Sequence, residues 1–449
     1  MTNNDKNLLQ RGLENIQPPL SSFIRAQTTS SLLLLFSTIV ALWWANSIYS
    51  ATYLNLVHTP IGLFFGDFEF KASLKHLIND GLMVIFFFLL GLEIKREVLV
   101  GDLAEPENRR MLIFCALGGM IFPALIYSLF NWSLDSQVGW GIPMATDTAF
   151  ALGVLTIVRK HIPASLLAFI VGLAIVDDIG AILVIAVFYT EQISILYLSS
   201  AFALIAFLAV ANYAGMRQPL FYIIVSIIIW LLMLNSGVHA TVAGVAIALT
   251  VPARPKIAAD KLLNKAKSKI NSMQNKTEKV DVLASQEDHK KVLEVRDNAE
   301  LASTPLRRWE DALELPVSLF ILPLFALINA GVVFNFNSLL DSALHPISLG
   351  IISGLVLGKF IGISGACWLA LRFKLGSLPS EVNFQHVIGA SLITGIGFTM
   401  STFIATLGFA GQAEQLQYAK TAILIASVIA AVLGVLYLRF ISTKLSANS

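Results

Sequence analysis

Asp177 and Asp178 stand side by side in GLAIVDDIGAIL, a run that is otherwise apolar. Asp147, in PMATDTAFALGVL, and Lys359, in LGKFIGI, are likewise charges in oily surroundings. An Asp, Lys or Arg at the centre of a bilayer costs about 2.5–3.5 kcal/mol on insertion scales, so such groups mark function and face one another or water. Unpaired, these four would together cost on the order of 10–14 kcal/mol. Neighbouring helical residues point about 100° apart, so Asp177 and Asp178 serve different surroundings. Two carboxylates so close in a low dielectric resist ionising together, and a nearby ammonium offsets that resistance. Oxygens under both influences suit the exchange of protons for monovalent cations. The alternative, an Asp pair that only glues helices together, would be met as well by apolar packing.

The elements that must hold these charges are membrane helices. Of 449 residues, 56% are hydrophobic and 13% charged, where soluble domains carry about 25% charged residues. Mean hydropathy is +0.73. A soluble core would leave large apolar patches in water, so the sequence reads as an all-α integral membrane protein surrounded by lipid. At roughly 20 apolar residues per crossing, about twelve transmembrane helices are expected. They centre near Leu35, Phe87, Gly119, Ala149, Val176, Ala203, Ile227, Val245, Leu322, Leu355, Ile396 and Ala430. A net charge of +2 gives no sign of nucleic-acid binding.

Basic residues cluster before the first span (Lys6, Arg11, Arg25), after the second (Lys95, Arg96, Arg109, Arg110), and in alternate later loops (Arg159, Lys160, Arg217, Arg372, Lys374). Arg439 and Lys444 sit at the end. By the positive-inside rule both termini are cytoplasmic, which requires an even number of spans. The organisation expected is a cytoplasmic N-terminal segment over 1–29, helices one to eight over 30–252, and a polar cytoplasmic insertion over 253–308. Helices nine to twelve follow over 309–443, then a tail over 444–449. Met1 to Thr29 lacks the apolar stretch of a signal peptide. Between the first two spans, TYLNLVHTPIGLFFGDFEF is expected to form an external hairpin over about 52–70. It would serve either as a homodimer contact through its edge or as a folded loop. Cys115 and Cys367 have neither a CxxC partner nor a His cluster nearby and read as two buried thiols.

The fourth and eleventh spans are irregular. GWGIPMATDTAFALGVL contains Pro143, Thr146, Asp147 and Thr148, and GASLITGIGFTMSTFIA contains Gly389, Gly395 and Gly397. Irregular backbone at membrane depth survives only when buried in protein or lining a cavity. Two interrupted spans in corresponding halves point to inverted-topology repeats, here around 109–190 and 346–443. Broken helices present positive N-termini that favour Asp147 and negative C-termini that favour Lys359.

These stretches resemble the NhaA-type sodium/proton antiporters, together with NDGLMVIFFFLLGLEIKRE, SGVHATVAGV, LPLFALINAGV and LGKFIGISGACWLALR. Secondary transporters of that family are among the known cases of inverted repeats with broken helices. The resemblance implies twelve helices, with the fourth and eleventh crossing at the midplane. It implies sodium at Asp178 and Asp177, Lys359 paired with Asp177 when sodium is absent, and Asp147 and Thr146 at the crossing. It implies an electrogenic, pH-dependent exchanger of sodium or lithium for protons in the bacterial inner membrane, with no cofactor. Glu93, Arg96 and Glu97 match a cluster linked to pH activation, although charged residues at a helix end also anchor it at the interface. His239 matches a family position, as a sensor or as a structural group. Asp80 is either functional or a charge favoured at a helix N-terminus. In RRWEDALELP, Glu310 matches the pH-sensing pattern, but Asp311 and Glu314 stand where imidazoles are found in strongly regulated members. Free carboxyls titrate well below imidazole, so the activation profile of this chain is expected to differ.

Two rival classes fit the residues less well. An intramembrane aspartyl protease also needs paired aspartates, but no GxGD stretch surrounds them. A cation channel would need rings of charge or carbonyls and would not couple flux to opposing protons. No GxxxxGK[ST] pattern supplies an ATP site.

Overall fold

The computed structural model describes residues 19–65, 68–159, 162–190, 193–255, 286, 289–290, 293–294, 303–333 and 339–447. Most of the expected 253–308 insertion, the first 18 residues and the last two lie outside the described residues. The described chain is helical except for one hairpin. Seven helices are long and apolar enough to cross a membrane: Leu74–Val100, Pro106–Phe130, Ala164–Phe188, Ile195–Tyr213, Pro305–Asn329, Pro346–Arg372 and Ala413–Ser442. Three further pairs of helices are broken and bent, which raises the number of crossings to as many as ten. Residues such as Leu129, Ile195 and Leu196 leave most of their side chains exposed. That outward apolar surface suits lipid, and the chain is a multi-pass membrane protein.

The chain divides into two compact units. One comprises Met1–Met83, Glu97–Thr190 and Leu315–Ser449; the other comprises Val84–Arg96 and Glu191–Glu314. In the first, the Pro106–Phe130 helix packs along Lys359–Arg372. Gly118 and Gly119 make that approach close: a Cβ on Gly118 would stand 2.6 Å from Ala366 Cβ, and one on Gly119 2.8 Å from Ile363 Cγ1. Small residues at such seams let helices associate in lipid, where no hydrophobic drive brings them together. Immediately before Lys359 the helix widens into a π-helical turn over Gly354–Gly358, a local irregularity frequent at functional sites.

Two of the broken pairs fall where Pro143 and the glycines of GIGF predicted them. Asp135–Met144 and Thr148–Val158 meet at 45°, and Phe384–Ile393 and Phe398–Gly408 at 50°. Ala145 and Asp147 are extended between the first two segments. The third pair, Thr29–Ala45 and Ser50–His58, bends by 116°. Its second helix occupies the start of the stretch expected to be hairpin. The antiparallel ladder begins only at Pro60, pairing Pro60–Phe65 with Phe68–Ser73 from Pro60 opposite Ser73 to Phe65 opposite Phe68. Tertiary packing overrides local β-propensity here, because Tyr53 is buried and its hydroxyl donates to the Leu327 carbonyl at 2.8 Å.

In the second unit, Tyr222, Val225, Ile229, Met233, Ala243 and Ile247 form a buried core with Ala201 and Leu208. Trp309 closes it, its ring 5.3 Å from that of Tyr222 and 6.3 Å from that of Phe88.

Candidate functional site

The Ala164–Phe188 helix carries Asp177 and Asp178 without interruption. Its other residues are mainly apolar on every side, the pattern of a helix buried in protein or membrane. Asp177 is 0% exposed, Asp178 4%, Lys359 0% and Asp147 1%. The π-turn delivers Lys359 to the first of these: its Nζ lies 2.5 Å from Asp177 Oδ2. The Thr146 hydroxyl is 2.9 Å from the same oxygen and 3.0 Å from the Thr394 carbonyl oxygen. Asp177 Oδ1 is buried with no hydrogen-bond partner among the described residues. One carboxylate oxygen is therefore held by an ammonium and a hydroxyl, while the other keeps its lone pairs for a ligand or a proton. A buried ion pair is weak evidence for stability, since apolar packing often does as well. Its retention points to chemistry.

Asp147 occupies the junction of the two breaks. Its backbone N–H donates to the Ile396 carbonyl at 2.7 Å. Its Oδ1 accepts from Phe150 N at 3.0 Å, capping the helix that begins at Thr148. Its Oδ2 accepts from the Thr399 N–H at 2.8 Å and the Thr399 hydroxyl at 2.6 Å, at the start of the helix Phe398–Gly408. One carboxylate thus meets the positive ends of two helices, each a favoured place for negative charge. Thr399 went unnoticed in the sequence, where the only signal was hydroxyl residues following the glycine break in GFTMST. Beyond it, Ser401 Oγ donates to the Ile142 carbonyl at 2.8 Å, a second tie between the interrupted spans.

The remaining candidates lie elsewhere. In the second unit Arg96 Nε bonds Glu310 Oε1 at 2.8 Å, and Arg307 Nη1 stands 3.7 Å from Glu310 Oε2. Glu310 is buried, Glu93 and Glu314 are half-buried, and Asp311 is exposed. Glu97 belongs to the first unit and is buried. His239, half-buried, occupies the N-cap position of Ala240–Thr250 and makes no side-chain capping bond. Asp80, in the π-helical turn Leu77–Leu82, lies 2.8 Å from His76 Nδ1. One helical turn of spacing explains that contact locally. A buried amide pair beside it has no local signal in the sequence: Asn329 donates to Asn79 Oδ1 at 2.8 Å.

Comparison with known proteins shows the family of the chain. The family model described as Na+/H+ antiporter 1 matches residues 21–438. A Na(+)/H(+) antiporter NhaA 1 of Shewanella denitrificans is 71% identical over 444 residues, covering 99% of each chain. A Na(+)/H(+) antiporter NhaA 2 of Psychromonas ingrahamii is 69% identical over 100% of this chain and 95% of its own. A Na(+)/H(+) antiporter NhaA of Sulfurimonas denitrificans is 46% identical over 98% of both.

Proposed function

The chain belongs to the Na+/H+ antiporter 1 family, and from that premise we propose that it exchanges sodium or lithium for protons across the bacterial inner membrane. The observation that carries the reading is the buried Lys359–Asp177 pair beside Asp178, with one Asp177 oxygen unbonded among the described residues. The cation and the protons compete for the same carboxylates. Sodium arriving at Asp178 and Asp177 displaces the Lys359 ammonium from Asp177; its departure lets protons or Lys359 return. Thr146 steadies Asp177 through either state, and Asp147 holds the helix ends that surround the ion.

Access alternates between the two faces. More protons enter than sodium ions leave, so the membrane potential contributes about 2.3 kcal/mol per net charge per 100 mV. No cofactor or ATP takes part, and the protein is a secondary transporter. Seven long helices, three broken pairs and two shorter apolar helices, Pro219–Leu234 and Ala240–Thr250, support a count of twelve crossings. In this reading the fourth and eleventh are the broken pairs at Asp147 and Ile396. They cross at the midplane within inverted repeats over about 109–190 and 346–443, and both termini are cytoplasmic. The 253–308 segment is a cytoplasmic insertion. Glu93, Arg96, Glu97, Glu310 and His239 set the pH dependence, with the Arg96–Glu310 contact as its best-supported element.

The test is Asp178→Asn, measured as sodium-driven proton movement in inverted membrane vesicles. The expected result is loss of exchange; near-normal exchange would overturn the assignment.

A further inference from the structure

The seam between Pro106–Phe130 and Lys359–Arg372 has a fixed register. The two helices run antiparallel, with Pro123 against Gly358, just before Lys359, and Gly119 against Ile363. One helical turn further along both, the same register sets Cys115 opposite Cys367. The two thiols therefore face each other across the seam, each fully buried. Met111, one turn beyond Cys115 on the same face, brings its Sδ to 3.9 Å from Cys115 Sγ. All three side chains are buried, and neither cysteine is in a disulfide. Three sulfur atoms from two helices thus converge, a grouping that the sequence spacing of the cysteines concealed.

We propose that Cys115, Cys367 and Met111 form a binding site for thiophilic d10 metal ions, with mercuric ion as the member that suits it best. Thiolate and thioether sulfurs are soft ligands and favour soft metals over sodium or magnesium. Two thiolates neutralise a mercuric ion completely, so the complex adds no net charge to the interior, where charge is expensive. Binding from mercuric chloride breaks two S–H and two Hg–Cl bonds and forms two S–Hg bonds; two protons leave with two chlorides. Met111 contributes a neutral third sulfur. Mercuric chloride is uncharged and dissolves in hydrocarbon, which gives it a route to thiols that water does not reach. The bound ion ties the helix carrying Lys359 to its neighbour two turns from the Lys359–Asp177 pair. A helix so tied is held in one arrangement, and transport stops; this last step rests on the antiport reading above.

The experiment titrates the purified full-length protein with mercuric chloride, following the near-ultraviolet absorption of mercury–thiolate bonds. One equivalent saturates the wild type, which has only these two cysteines. Cys115→Ser and Cys367→Ser each bind through one thiol and lose the ion to a monothiol that the wild type resists. Met111→Leu loses it about tenfold faster, at the low end of what auxiliary partners of a metal contribute. Saturation at two equivalents, with each serine variant taking one as firmly as before, would mean independent thiols and overturn the site. In inverted vesicles, mercuric chloride abolishes sodium-driven proton movement of the wild type, dithiothreitol restores it, and either serine variant is insensitive. Exchange that persists with the ion bound would overturn the locking of the helices. Were the antiport reading itself wrong, vesicles would show no exchange before the metal is added, while the titration would still decide the site.

Discussion

Asp147 shows how much a single side chain can hold in place. Its two oxygens take three hydrogen bonds from Phe150 and Thr399, and its own N–H reaches Ile396. Charge-assisted bonds of this kind are roughly twice as strong as neutral ones, and inside a membrane no water replaces a lost donor. Thr399→Val keeps the shape and the backbone N–H but removes the hydroxyl donor. The expected outcome is a loss of about 1–3 kcal/mol in stability, read as a lowered melting temperature in detergent. An unchanged melting temperature would mean that the hydroxyl bond is replaced at no cost. Asp177 is a different kind of residue: one oxygen is committed to Lys359 and Thr146, the other to nothing among the described residues. Among the described residues both Asp147 oxygens are bonded and one Asp177 oxygen is not, which fits the proposed division between a brace and an exchange site.

At the scale of elements, glycine placement decides what packs. Gly118 and Gly362 meet backbone to backbone, and no larger residue fits at either without moving a helix. Gly118→Val is expected to cost about 1–3 kcal/mol through overpacking and to lower exchange, since Lys359 rides on the helix it would push away. Thermal unfolding and vesicle exchange measured together check both effects. The interrupted helices were legible in the sequence because Pro143, Gly395 and Gly397 cannot sustain a lipid-facing helix. The buried charges were legible because their cost is high wherever they fall. The partner of Asp147 was not, since nothing in local pattern links it to a threonine 252 residues away. The sulfur pair was hidden for the same reason. The stretch before the hairpin misled in the opposite direction: its β-branched and aromatic residues suit a strand, but burial of Tyr53 against the Leu322–Asn329 helix sets the outcome.

At the scale of the molecule, the outer surface is apolar, which fixes its solvent, and the short two-stranded ladder Pro60–Phe65 with Phe68–Ser73 has two open edges among the described residues. Open edges pair readily with other strands, and a second copy of the chain in the same membrane is the partner always at hand. We propose that such an edge joins two copies, so replacing residues 60–73 with a short flexible linker is expected to abolish a cross-linked dimer while leaving exchange in place. Chemical cross-linking in membranes checks the first and vesicle assays the second. The contacts that complete the proposed exchange site also impose an order on its making. Asp177 waits 182 residues for Lys359, and Asp147 waits 252 for Thr399. At about 5–20 residues per second on the ribosome, the second delay is roughly 13–50 s. For that interval the first half of the site is already inserted, its carboxylates without their future neighbours. A nascent chain halted there would present raw acid to the bilayer, which makes the half-built protein a natural substrate for quality-control proteases.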